Sequence, residues 1–144
     1  MLYRHCLLAI GLVTLMAGCS GGPIFADVEG YVKMKGKPLD NIQVEFWPEG
    51  NGPKSVGVTD AEGKYTLASV DGKKKGAMVG KHVVVLLDLK VRGDKFLGRA
   101  AENHDFSKNP KTRIHMSYGS AASSRLKKEV VSGQQPNVIE LTVE

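Results

Sequence analysis

Cysteine is almost missing from this chain, with two in 144 residues, at positions 6 and 19. One disulfide at most is possible, and zinc sites built from paired cysteines are excluded. Aromatic residues are also scarce, at 6% against 42% apolar. That balance fills a thin aliphatic core and leaves no material for a large aromatic site. The apolar run from Cys6 to Met16 falls short of the roughly 20 residues a helix needs to span a bilayer. Charge of one sign is not in strong excess either, with 20 basic residues against 15 acidic ones. A chain of this length holds one domain at most.

Glycine, by contrast, is plentiful: 17 Gly and 6 Pro punctuate short runs of Val, which fits strands and turns better than a helical bundle. The clearest signal is Val56-Gly-Val-Thr-Asp-Ala-Glu-Gly-Lys-Tyr-Thr-Leu67. Two apolar alternations flank Asp60-Ala61-Glu62-Gly63, with Asp first and Gly fourth in a type I turn. The Asp carboxylate accepts from the turn's backbone N–H groups, and Gly supplies φ > 0. The spacing therefore predicts a hairpin in which Thr59, Asp60, Gly63 and Tyr65 form the turn motif.

Other strands follow from period-two alternation. Val28, Gly30, Val32 and Met34 give a first strand, turned at 35–38 by Gly and Pro. Ile42, Val44 and Phe46 give a second, with Gln43, Glu45 and Trp47 on its outer side. Lys81 to Asp88 is the most apolar and belongs mid-sheet, with His82 outward. Ile114 to Tyr118 reads as a further strand, and Ile139, Leu141 and Val143 share one face of the closing strand. The count predicts a seven- to eight-stranded antiparallel β-sandwich. Residues 90–116 lose the pattern; Arg92-Gly-Asp94 reads as a strand-end turn and Ala100–Phe106 as one helical turn within a long excursion.

The N-terminus is a targeting segment. A basic start at Arg4 and His5 precedes the apolar run, which ends in Leu15-Met16-Ala17-Gly18-Cys19. Small residues before a Cys, with Leu upstream, resemble the bacterial lipobox, in which the thiol is acylated before cleavage. The expected organisation is a signal peptide at 1–18, lipidated Cys19 with a flexible tether at 19–26, and a β-sandwich domain at 27–144. Cys6 leaves with the signal and Cys19 carries lipid, so no disulfide remains. Membrane lipid is the partner expected through Cys19, at the cell envelope.

Thr59-Asp-Ala-Glu-Gly-Lys-Tyr-Thr-Leu67 resembles the T-D-x-x-G-x-Y-x-L element of carboxypeptidase regulatory-like domains. Val28-Glu-Gly-Tyr-Val32, Gly36-Lys-Pro-Leu39 and Val44-Glu-Phe46 are similar to that family's opening strands. Gly80-Lys-His-Val-Val-Val85 resembles its P-G-x-Y-x-V strand, with Val79 for Pro and His82 for the aromatic. Ile114-His-Met-Ser-Tyr118 looks like its I-P-x-x-Y, with His115 for Pro. The resemblance implies a prealbumin-like (transthyretin-like) sandwich, of the kind carried by small planctomycete lipoproteins, serving as a non-catalytic structural or interaction module.

Candidate chemistry is sparse. Trp47 is either a cap over the sandwich edge or a ligand lip for a small molecule or carbohydrate. Lys73-Lys74-Lys75 invites an acidic-lipid or nucleic-acid reading but lacks interleaved aromatics, so it reads as a solvated loop tip and no nucleic-acid partner is expected. Glu102, His104 and Asp105 fit no common zinc spacing. Asp60 and Glu62 lack the calcium-loop pattern. Ser117-Tyr-Gly-Ser120 is similar to the Tyr-Arg-Gly-Ser ending of hydroxyisourate hydrolases but lacks the Arg. The expectation is a non-enzyme with no cofactor or metal, whose further partner is an envelope protein or a glycan.

Overall fold

The computed structural model describes residues 22–92 and 111–144. Within them the chain is an all-β sandwich. Its longer strands are β2 (Val28–Met34), β4 (Ile42–Pro48), β5 (Ser55–Val58), β6 (Lys64–Thr66), β9 (Gly80–Asp88), β10 (Lys127–Val130) and β11 (Asn137–Val143). Four two-residue strands, β1 (Phe25–Ala26), β3 (Lys37–Pro38), β7 (Ala68–Ser69) and β8 (Ala77–Met78), bring the total among the described residues to eleven. The alternation shows only segments long enough to alternate, which is why it leads to seven or eight.

One sheet runs β10-β9-β4-β5-β7, with β9 inside it as its apolar sequence requires. The other main sheet runs β11-β2-β3, with β6 also paired to β2, and β1 and β8 form a separate two-stranded ribbon. Every pairing is antiparallel except one: β11 lies parallel to β2 over seven residues, from Asn137↔Val28 to Val143↔Met34. Inward residues coincide in that register, so Val28 and Val32 line up with Asn137 and Leu141, all buried.

The core lies between the two sheets. Ile42, Val44, Phe46, Val84 and Leu86 meet Val32, Tyr65, Leu67, Ile139, Leu141 and Val143. Gly30 admits this approach, because a Cβ there would collide with the Ile139 carbonyl and the Tyr65 hydroxyl. That hydroxyl donates to the Ile139 carbonyl at 2.8 Å and rivets β6 to the last strand.

Four local expectations give way. Residues 56–67 do not close as a hairpin: β5 pairs with β4 and β7 in one sheet and β6 with β2 in the other, so the Asp60 turn carries the chain from sheet to sheet, because both alternations bury their apolar side in the core between them. His82 points inward, 1% exposed, with its ring 5.5 Å from that of Phe46. The alternation of β9 starts one residue earlier than its apolar run suggests, so His82, Val84 and Leu86 share the core face. Ile114 to Tyr118 is not a strand but runs into a 3-10 turn at Met116–Gly119. His115 caps that turn, its Nδ1 accepting from the Ser117 N–H; proline at the same place could not have done so. Phe25 and Ala26, two residues inside the expected tether, pair with Met78 and Ala77. The readings at Arg92-Gly-Asp94, Ala100–Phe106 and Glu102–Asp105 fall on residues outside the described ones, Arg92 apart from its backbone.

Candidate functional site

The turn motif assembles at one end of the sandwich. Asp60 Oδ1 accepts from the Lys64 N–H at 2.8 Å and the Glu62 N–H at 3.1 Å, while the Gly63 N–H closes the turn on the Asp60 carbonyl. Gly63 lies at φ +73°. Thr59 is buried, and its Oγ1 accepts from the Ile42 N–H at 2.9 Å. Tyr65 belongs to the core, where burial pushes its phenol well above the usual range. Thr59 and Tyr65 are spent inside the fold, and Asp60 Oδ1 and Gly63 shape the exposed turn, so the motif works as a structural device.

Trp47 sits towards the opposite end of β4, 39% exposed. Beside it lies a cluster that the alternation does not reveal. Glu45 is 2% exposed although it occupies the outer face of the sheet. Its carboxylate accepts from Gln43 Nε2 at 2.8 Å, from Trp47 Nε1 at 2.8 Å, and from Lys54 Nζ at 3.1 and 3.0 Å. The Lys54 ammonium also stands 4.6 Å from the Trp47 ring centroid, within cation–π range. Glu45 is therefore no free base, and its work is to fix the plane of an exposed indole. The sequence hint is the triple Gln43, Glu45, Trp47 at i, i+2, i+4, which a strand places on one face.

Cross-strand register extends this face. Trp47 opposes Val83, and Val83 opposes Lys127. Beyond them a charged groove of about 340 Å³ is lined by Glu49, Lys81, Lys127, Lys128 and Glu129. Lys127 Nζ and Glu49 Oε1 pair at 2.7 Å across it, and that hydrogen bond holds the Glu49 carboxyl below its ordinary value.

A second cluster lies at the turn-motif end. Asp88 is buried at the end of β9, and Arg113 reaches it through Nε at 2.9 Å and Nη2 at 2.7 Å, with a further bond from the Arg113 backbone N–H. Arg113 also donates to Asp40, which takes Lys90 as well. Burial alone would raise the Asp88 carboxyl; the Arg113 guanidinium and the Arg113 and Lys90 amides overcome it and hold the group below its usual range. Hydrogen bonds from Lys90, Asn41 and Arg113 hold Asp40 far below that range. The network pins residues 111–114 to the sheet and walls a cavity of about 320 Å³ with Leu86, Leu87, Val91, Ile114 and His115. Nothing in the spacing of Asp40, Asp88 and Arg113 announces it.

The two histidines among the described residues do not converge. His115 borders that cavity beside Leu87, and His82 lies five residues back along β9, about 17 Å away at strand rise. Among the described residues no group of three or more His, Cys, Asp or Glu could hold a metal ion, and no helix is long and apolar enough to cross a membrane. Cys19 lies outside the described residues. No family model, no curated protein and no solved structure matches this chain.

Proposed function

We propose that this chain is a cell-envelope lipoprotein, anchored through an acylated Cys19, that presents a carboxypeptidase regulatory-like sandwich as a non-catalytic structural or interaction module. The observation that carries the reading is the position of Leu15-Met-Ala-Gly-Cys19, an acylation signal that ends just ahead of a folded domain whose first strand begins at Phe25. A filled core supports the module over an enzyme: Phe46, Tyr65 and Leu86 are buried between the sheets, and the carboxylates of Glu45 and Asp88 are consumed by internal partners. Cys19 is the only acyl acceptor left after cleavage, so Cys19→Ala should abolish palmitate labelling and processing by the lipoprotein peptidase. Equal labelling of the variant would sink the anchor.

A second reading is favoured by the Trp47 platform and the charged groove beside it. An indole held by Glu45 and flanked by Lys127 and Glu49 suits a carbohydrate, which stacks on an aromatic face and bonds to charged rims. Titration with envelope oligosaccharides, read by Trp47 fluorescence, separates the two: a saturable change supports the binder, and a flat signal supports the module.

A further inference from the structure

The end of the sandwich where the described chain begins gathers exposed apolar tips and a lysine run on neighbouring loops. Ile24 accepts through its carbonyl from the Val79 N–H, and β9 begins one residue later. Neighbouring register places three loops at this same end. Val130 pairs with Gly80, so the turn after β10 starts here. The Val70 N–H bonds to the Lys54 carbonyl, so the loop after β7 lies here too. The Glu49 N–H bonds to the Lys81 carbonyl and brings the loop after β4 alongside.

Three large apolar side chains stand into solvent on these tips: Ile24 at 67% exposed, Val70 at 62% and Val131 at 40%. Beside Val70 the loop presents Lys73, Lys74 and Lys75, all exposed and without an ion-pair partner among the described residues. The one acid in that loop, Asp71, is occupied by the Ser69 hydroxyl and the Lys73 backbone N–H. The lysine run is a solvated tip by sequence; its placement beside the point of entry is what changes its meaning.

Geometry supplies the occupant. Five residue steps separate Cys19 from Ile24, which reach at most about 18 Å when fully extended. An acylated Cys19 therefore holds this end, and not the Asp60 turn, against the bilayer surface. Apolar tips with a lysine run beside them match the boundary between acyl chains and anionic headgroups. We infer that the entry end of the sandwich docks on an anionic lipid surface, with Ile24, Val70 and Val131 at the headgroup boundary and Lys73, Lys74 and Lys75 on lipid phosphates. This inference rests on the lipoprotein reading, and fixes an orientation for the module: the entry end down, the Asp60 turn and the Arg113 cluster outward.

The test uses the mature protein purified from envelopes, its Cys19 acylation read by intact mass. Val70→Cys or Met116→Cys is labelled with a fluorophore, and the protein is reconstituted into vesicles of phosphatidylcholine alone or with a minority of phosphatidylglycerol. Met116, 82% exposed, stands at the rim of the cavity at the far end. Acrylamide quenching at position 70 should drop in the anionic vesicles while position 116 stays open. Each lysine near an anionic surface shifts the docked population about fivefold, so Lys73→Gln, Lys74→Gln and Lys75→Gln together should cut it on the order of a hundredfold and restore quenching. An acylated protein whose two labels quench alike overturns the docking and leaves the anchor standing. Protection at position 70 that needs added envelope proteins also overturns it, in favour of a protein partner. A mass without acyl chains overturns the anchor and this inference together.

Discussion

A residue's cost of change follows from what surrounds it, and Gly63 is the sharpest case. Its φ of +73° is strained for any side chain, and a Cβ would meet the Val32 carbonyl oxygen at 2.8 Å and the Pro38 Cβ at 3.0 Å. Gly63→Val should therefore cost about 1–3 kcal/mol from backbone strain alone, read as a drop in the urea midpoint at unchanged slope. The partner residue Asp60 acts through backbone N–H groups, so millimolar calcium should leave the melting temperature where it is; a marked rise would show that the carboxylate holds metal. His82 makes a different prediction. Burial lowers its pKa, only partly opposed by the bond to the Gly80 carbonyl, so the native state resists a proton that the unfolded chain accepts. As pH falls through the unfolded value of about 6.5 the unfolded state binds more protons, and stability should decline by up to about 1.4 kcal/mol per pH unit until the folded value is reached. His82→Phe should flatten that slope between neutral and mildly acid pH, whereas the loss tied to Asp88 belongs to lower pH, where a carboxylate held below its usual range finally protonates.

At the scale of a strand, β4 shows what alternation can and cannot say. Ile42, Val44 and Phe46 face the core as their spacing predicts, yet Gln43 and Glu45 on the other side are buried as well, at 6% and 2% exposure. Periodicity assigns a residue to a face; it carries no information on whether neighbours cover that face. Here Lys54 from the edge of β5 and the Trp47 ring close over the carboxylate, a contact that only the β4–β5 register creates. The asymmetry of removing one partner from a buried pair then gives a test. Glu45→Gln keeps an acceptor for Trp47 and frees Lys54, whose side chain is 27% exposed, to turn towards water. Lys54→Met instead strands the Glu45 charge, whose side chain is 3% exposed, away from its cation. Lys54→Met should be the more destabilising change by at least about 1 kcal/mol, measured by denaturant unfolding at neutral pH. The reverse order would mean that the Trp47 and Gln43 bonds, and not the ion pair, keep Glu45 in place.

Across the whole molecule, the features legible in the sequence are those set by neighbours along the chain. Turn chemistry at Asp60-Gly63 and the strands around it are local, and they lead directly to an all-β sandwich. The parallel union of β2 with β11 joins Val28 to Asn137, and Arg113 reaches Asp40 and Asp88 from far along the chain; no local pattern encodes either. The same limit bears on catalysis, because chemistry depends on convergence and not on composition. Hydrolysis of the hydroxyisourate kind needs a base, a partner to orient it and donors for the developing oxyanion, all within hydrogen-bond reach. In this fold His82 is sealed against Phe46, with its Nδ1 turned to a carbonyl oxygen. His115 is exposed and spends its Nδ1 on capping the 3-10 turn, so Ser117 beside it is held as part of a cap, with no carboxylate aligning the ring among the described residues. Arg113, beside that cavity, is committed to Asp88 and Asp40. Soluble protein beginning at Ser20 should therefore leave hydroxyisourate decay at its spontaneous rate. An acceleration lost in His115→Ala, with the melting temperature unchanged, would make the cavity beside Leu87 an active site and overturn the non-catalytic reading.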